Sequence, residues 1–184
     1  SNDLVQARTA NPVNEITDIT NTTGAAWVQP GYDAAGNMTT IPQGNDPEEG
    51  FVGTYDAWNR LVKLVDEENN VVAEYAYDGL TRRVTKTTSE VRHYYYNASW
   101  QILEERVGSA TTFDRQYVWG LRYIDDCVLR DRKLISSTER HYALQDANWN
   151  VTAITDDSGV VAERYSYAAY VVPSFLEPDF TTKT

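Results

Sequence analysis

A dipeptide that recurs at nearly constant spacing constrains the fold of this chain more than any other feature. Tyr-Asp occurs three times, and single tyrosines then continue the same interval of about 22 residues, giving the series Tyr32, Tyr55, Tyr77, Tyr96, Tyr117, Tyr142 and Tyr165. An interval of this length fits two strands and two turns. The sequence therefore predicts a degenerate repeat of β-hairpins.

One repeat unit can be followed along residues 55–78. Residues 61–65 and 74–77 alternate loosely between apolar and polar side chains, as strands do. The polar cluster between them ends in Asn69 and Asn70, which tolerate the positive φ of a hairpin turn. Residues 149–167 match this unit nearly position for position, with Asp157, Ser158 and Gly159 at the turn.

A second kind of bend follows each Tyr-Asp pair. The aspartate carboxylate can accept hydrogen bonds from backbone N–H groups two or three residues further on. Gly36 and Asn59 then supply a residue that tolerates left-handed geometry, whereas Thr81 fits that position less well. We therefore interpret Tyr-Asp as structural: the tyrosine packs on a neighbouring strand and the aspartate closes the turn.

The composition favours β structure throughout. The chain has 13 Tyr and 5 Trp against 4 Phe, and aromatic rings with a polar tip suit half-buried sheets. We find no convincing amphipathic helix. The sequence predicts an all-β domain over residues 31–170, an extended arm or weak strands over residues 1–30, and an extended tail over residues 171–184.

The repeat units resemble the YD-repeat, or Rhs-repeat, family of bacterial cell-surface or secreted proteins. The family pattern is roughly Tyr-Asp, two residues, Gly-Arg-Leu, a strand, a turn and Tyr-x-Tyr-Asp. Here residues 55–61 supply the first part, with Asn59 in the glycine position, and residues 75–78 supply the last. The resemblance implies consecutive antiparallel β-hairpins in a spiralling or barrel-like sheet, which in large members closes into a shell around a toxin.

Two family features are missing from the sequence as read. The resemblance leads us to look for an Asp-Pro-x-Gly-Leu cleavage element, and residues 171–184 contain none. We also expect no toxin domain after these residues. We therefore expect neither self-cleavage nor toxicity from this chain.

The charge excludes several classes of partner. The chain carries 16 Lys+Arg and 27 Asp+Glu, a formal net charge of −11. Such a chain repels phosphate backbones and anionic lipid surfaces, so we expect no nucleic-acid partner. Apolar runs such as residues 71–73 are far too short to span a bilayer, so we expect no membrane insertion.

Nucleophilic or acid–base chemistry has few candidate residues. Cys127 could pair with His93 or His141, but nothing in the sequence positions such a pair. Asp125 and Asp126 could act as paired carboxylates, but neighbours in a strand point to opposite faces. A structural cysteine, and aspartates in a turn or at a solvated edge, are the favoured interpretations.

Metal binding and glycosylation are also weakly signalled. Asp146, Asn148, Asn150 and Asp157 have part of a calcium-loop spacing, but Val151 stands where that loop needs glycine. Asn-x-Ser/Thr triplets arise readily in a chain rich in Asn and Thr, and they begin at Asn21, Asn37, Asn97 and Asn150. The sequence therefore predicts no catalytic, cofactor-binding or metal-binding residue, and no cofactor.

Three functional hypotheses remain. The first is a non-enzymatic structural subunit that assembles head-to-tail with its own copies into an extracellular or cell-surface fibre, after export of a processed precursor. Exposed strand edges and the terminal arms, residues 1–30 and 171–184, would join the copies. The second is a fragment of a toxin-encapsulating shell. The third is a surface module that binds a glycan or a protein through exposed aromatic rings.

Overall fold

The computed structural model describes residues 5–44, 46–167 and 173–183, and within them the only regular elements are β-strands. In chain order the strands are β1 Val5–Ala10, β2 Ile16–Thr23, β3 Gly31–Tyr32, β4 Met38–Pro42, β5 Gly50–Tyr55, β6 Leu61–Val65, β7 Val71–Tyr77, β8 Arg83–Thr87, β9 Val91–Tyr96, β10 Ile102–Val107, β11 Arg115–Trp119, β12 Cys127–Lys133, β13 Thr138–Gln145, β14 Val151–Thr155, β15 Val161–Ser166 and β16 Ser174–Leu176. The all-β prediction is confirmed.

The strands pair in the order in which the chain makes them. β1 and β2 form a two-stranded sheet, and β3 to β16 follow one another in an antiparallel sheet of fourteen described strands. Consecutive hairpins, as the repeat predicts, therefore build the fold. No membrane-spanning helix occurs among the described residues.

The chain divides into two compact units, Ser1–Val91 and Arg92–Thr184. The first contains β1 to β8, and the second contains β10 to β16 and all of β9 except Val91. The predicted boundary between residues 170 and 171 lies outside the described residues. Ser174–Leu176, which the sequence places in an extended tail, pairs with β15 as strand β16.

Both kinds of bend predicted from the sequence have the same geometry. In residues 56–60 the backbone N–H of Asp56 donates to the carbonyl of Arg60 (3.0 Å), and that of Asn59 donates to the carbonyl of Asp56 (3.0 Å). The same pair of hydrogen bonds closes turns that begin at Asn11, Asp33, Asp66, Asp78, Asn97, Asp146, Asp156 and Glu177. The fourth residue of each turn has a positive φ, as expected for a type I turn followed by a bulge.

The buried core is small. Ile19, Ala73 and Ala153 are the buried apolar side chains among the described residues. Gly53 is also buried. A Cβ atom there would lie 3.2 Å from the Ile41 side chain, the Met38 carbonyl and the Tyr55 ring, so the site accepts only glycine without rearrangement. Since so little apolar surface is buried, contacts between neighbouring hairpins carry much of the stabilisation.

Candidate functional site

The aromatic residue that ends a strand is linked to the first residue of the strand before it. The Tyr55 hydroxyl donates to the Met38 carbonyl (2.9 Å), and the Tyr77 hydroxyl donates to the Leu61 carbonyl (2.8 Å). Burial raises the pKa of both hydroxyls, so they remain protonated donors. These bonds explain why tyrosine, rather than phenylalanine, marks the repeat.

The second unit uses the same link with different residues. The indole N–H of Trp119 donates to the Ile102 carbonyl (2.8 Å), and the Tyr167 hydroxyl donates to the Val151 carbonyl (2.8 Å). The sequence placed these markers two residues earlier, at Tyr117 and Tyr165, and that assignment was wrong. Alternate residues of a strand share a face, so a two-residue error does not change the predicted side of the sheet.

The aspartate that begins a regular turn accepts hydrogen bonds from backbone N–H groups of that turn. Asp56 Oδ1 accepts from the N–H groups of Trp58 (2.9 Å) and Arg60 (3.1 Å), and its Oδ2 accepts from Arg60 Nε (2.7 Å). The Arg60 side chain is the main reason that the pKa of Asp56 is lowered. Asn37, Asn70 and Asn150 similarly lower the pKa of Asp33, Asp66 and Asp146.

Arg60 joins two successive turns of the first unit. Its guanidinium lies 5.2 Å from the Trp58 ring centre and 4.8 Å from that of Tyr77. It also donates from Nη1 to the Asp78 carbonyl (3.2 Å). Arginine at this position therefore tightens the array through charge, stacking and hydrogen bonding together.

Residues 120–126 replace the regular turn in the second unit. The backbone N–H of Gly120 donates to the Asp126 carbonyl (2.7 Å). Arg122 holds the Asp126 carboxylate with two hydrogen bonds, Nε to Oδ2 (3.0 Å) and Nη2 to Oδ1 (2.9 Å). The Asp126 side chain is 1% exposed, and it leaves no room for a side chain at Gly120.

Neighbouring turns fix this loop from both sides. Gln101 Nε2 donates to the Ile124 carbonyl (2.7 Å), and Gln145 Nε2 donates to the Asp125 carbonyl (3.2 Å). Tyr123 stacks on Trp149 with ring centres 5.2 Å apart and an interplanar angle of 14°. The loop is therefore held in place by the turns at residues 97–101 and 146–150.

A charge cluster lies on β9 to β11 of the second unit. Glu105 accepts from the Tyr117 hydroxyl (2.7 Å) and from Arg92 Nη1 (3.0 Å), and Arg92 also donates to Asp114 (2.5 Å). Burial, and then the bond to Glu105, raise the pKa of Tyr117. These hydrogen bonds join β9, β10 and β11 and the residue before β11, so the cluster orders the strands.

Of the residues that the sequence raised for nucleophilic chemistry, the structure brings two to one depression and places the third elsewhere. Cys127 and His141 line one shallow depression on β12 and β13, whereas His93 lies on β9. Burial raises the pKa of the Cys127 thiol, which opposes formation of the nucleophilic thiolate. Asp125 and Asp126 both lie in the turn that precedes β12, as one of the two interpretations expected; Asp125 is exposed there, whereas Asp126 is buried.

The calcium-like spacing does not form a calcium loop. Asp146 begins one turn and Asp157 belongs to the next, with the whole of β14 between them. Asp146 already accepts bonds from Asn148 and Asn150. Within the described part of the chain, no group of three or more His, Cys, Asp or Glu side chains is arranged to hold a metal ion.

The sequence did not predict the ordered loop at residues 120–126. A signal was present, because the longest gap in the tyrosine series runs from Tyr117 to Tyr142 and spans this loop. The pairing of Arg122 with Asp126 had no comparable signal, since such spacings are common. The triplets beginning at Asn37, Asn97 and Asn150 fall in turns, where Asn37 and Asn150 bond to the aspartates and Asn97 begins the turn itself.

Comparison with known proteins agrees with this description. A family model described as RHS Repeat matches residues 55–98. The tRNA3(Ser)-specific nuclease WapA of Bacillus spizizenii is 29% identical over 152 residues, which are 79% of this chain and 6% of that protein. The chain thus spans only a small part of that relative's length.

Two solved structures were also found. They are TcdB2-TccC3-Cdc42 and TcdB2-TccC3, each with 10% identity and a TM-score of 0.27 over 83% of this chain and 12% and 13% of those chains, respectively. A score of this size supports no inference about the present chain. The RHS match covers the turns at residues 56–60, 66–70 and 78–82 and the Tyr77 link between them, so residues 55–98 match the Rhs repeat, the family that the Tyr-Asp pattern of the whole chain resembles.

Proposed function

We propose that this chain is a non-enzymatic wall module: a run of YD-repeat hairpins whose sheet is continued at both ends by further strands. The main support is the way successive strands are joined. Tyr55, Tyr77, Trp119 and Tyr167 each donate to the carbonyl of the first residue of the preceding strand, while few apolar side chains are buried among the described residues. Such a module derives its stability from its neighbours and lengthens by adding repeats.

The further strands come from one of two sources. In a longer repeat protein they belong to the same chain, as in a shell of the Rhs type. In a fibre they belong to another copy. The described sheet ends in short strands, β3 with two residues and β16 with three. Short edge strands discourage pairing between separate copies, so the wall of a longer protein is the favoured form.

We also propose a secreted or cell-surface location, because proteins with RHS repeats are typically found there. A net charge of −11 suits an exposed surface in that setting. The nuclease function in the name of WapA belongs to that protein, of which this chain matches 6%. We propose no such activity for the present chain.

Hydrogen exchange and electron microscopy test the proposal. We expect a monomer at low and high protein concentration, with the backbone amides of β3 and β16 exchanging faster than those of β6 and β7. Regular filaments, with β3 and β16 protected only at high concentration, would instead support the fibre. Edge strands as protected as inner strands at every concentration would contradict both forms, because the sheet would then need no continuation.

A further inference from the structure

The loop at residues 120–126 and the turn beside it display large apolar side chains to solvent. Leu121 is 103% exposed, Ile124 56% and Tyr123 46%, and Trp100 on the neighbouring turn is 53% exposed. We call these four side chains the apolar loop surface. Large apolar groups clustered in the open are typical of interaction sites.

The apolar loop surface is held in place before any partner arrives. The Arg122–Asp126 pair closes the loop, and Gln101 and Gln145 anchor its carbonyls. A preorganised loop loses little conformational entropy on binding, so its apolar contacts contribute more to affinity. A loop without such a role would not need a buried carboxylate to order it.

Two depressions flank Arg122 and give a partner's side chains somewhere to enter. One is lined by Ser99, Gln101 and residues 120–124. The other is lined by residues 143–147, Arg122 and Trp149. The surface therefore offers both protruding apolar groups and concave sites beside them.

The charge around this surface is negative. Within residues 97–101, 120–126 and 146–150 the charged side chains are Arg122, Asp125, Asp126 and Asp146. Arg122 and Asp126 neutralise each other, and Asp146 is bonded to the neutral Asn148 and Asn150. Asp125 and Asp146 are both exposed, so they attract a basic partner.

We propose that the apolar loop surface docks a segment of another protein in which apolar side chains stand next to Lys or Arg. A second copy of this chain is a poor occupant because it also carries a charge of −11. A sugar is a poor occupant because its best platforms, Tyr123 and Trp149, stack on each other, and the most exposed groups are aliphatic.

Fluorescence anisotropy of labelled peptides tests the proposal. The probe is a short peptide of Leu and Lys, compared with one in which Ser replaces Leu and one in which Glu replaces Lys. We expect saturable binding of the Leu/Lys peptide alone. The double variant L121S/I124S should weaken it about tenfold or more, as for central apolar contacts of an interface.

The matched control makes the same kind of change elsewhere in the same unit. Ile135 is 106% exposed and Val160 61%, in the β12–β13 and β14–β15 turns respectively. I135S/V160S should therefore leave peptide binding unchanged. Thermal unfolding of both double variants checks that each is folded, which is expected because all four positions are exposed.

Several outcomes would overturn the proposal. Equal binding of the Ser/Lys peptide would mean that charge alone acts. Equal loss in both double variants, or no saturable binding, would remove the site. Self-association or binding of a chitin-type oligosaccharide that L121S/I124S abolishes would identify a second copy or a sugar as the occupant instead.

Discussion

The regular turn at residues 56–60 and the loop at residues 120–126 both pair an arginine with an aspartate four positions away, but in opposite order. In the turn the aspartate comes first, is partly exposed, and accepts backbone N–H groups. In the loop the aspartate comes last, is 1% exposed, and is held by the Arg122 guanidinium. A turn whose polar groups bond to its own backbone can be repeated, whereas a buried carboxylate that depends on a single charged side chain is specific to its site.

Acid should have the largest effect, because it acts on many regular turns together. Hydrogen bonds lower the pKa of Asp33, Asp56, Asp66 and Asp146 below their unfolded values. A lowered folded pKa gives stability that is present above the unfolded pKa and is lost as the pH falls through the folded one. We expect the melting temperature to fall steeply below about pH 4.

Asparagine variants separate this cause from general acid effects. Asp56→Asn and Asp66→Asn should lower the melting temperature at pH 7 and also flatten its dependence on pH below about 4. The control is Asp157→Asn, at an exposed turn residue that does not begin the turn. An unchanged acid profile in the first two variants would show that the turn carboxylates do not hold the turns.

Gly120→Ala tests whether the loop at residues 120–126 tolerates a side chain less well than a regular turn does. A methyl group there would collide with the Asp126 carboxylate, which Arg122 prevents from moving freely. We expect the free energy of unfolding to fall by about 1–3 kcal/mol, measured by urea denaturation. Gly79→Ala is the matched change in a regular turn, where no atom lies within 4 Å.

Gly79→Ala should be neutral or slightly stabilising. The equivalent positions of other turns already carry alanine, at Ala34 and Ala57. Equal destabilisation by both alanine variants would mean that the loop is no more demanding than the turn.

Thr81 allows a smaller test inside the regular turns. It has φ 66°, which a β-branched side chain rarely adopts, whereas Asn59 holds φ 59° at the same position of the previous turn. Thr81→Asn should stabilise the chain by about 1 kcal/mol. The reverse change, Asn59→Thr, should destabilise the chain by a similar amount. If both variants changed the free energy of unfolding in the same direction, backbone strain would not be the cause.

Tyr77→Phe should have the smallest effect. It removes the hydroxyl bond to the Leu61 carbonyl but keeps the ring, so we expect the free energy of unfolding to fall by about 0.5 kcal/mol in urea denaturation. Tyr95→Phe, at a side chain 45% exposed, is the control and should be nearly neutral. If the two variants behaved alike, the tyrosine links would contribute packing and no hydrogen bond.

Much of the fold could be read from local signals. The strand class, the antiparallel hairpins and the place of each Tyr-Asp turn follow from residue types a few positions apart. The marker aromatics were misplaced by two residues at Trp119 and Tyr167, because strand periodicity identifies a face but not the residue that reaches the neighbouring carbonyl. The two kinds of bend expected from the sequence share one geometry, because Asp66 begins its turn with the same two backbone hydrogen bonds as Asp56.

The sequence by itself determined the hairpin repeat, since turn formation depends on an aspartate or asparagine and a left-handed residue within five positions. Only the tertiary structure decided the features of the loop at residues 120–126, which departs from the repeat. The burial of Asp126, the need for glycine at position 120 and the exposure of Leu121 depend on Arg122, Gln101 and Gln145, which approach from the loop itself and from other turns. Contacts of that kind are set by the packing of hairpins, and the order of residues along the chain does not encode them locally.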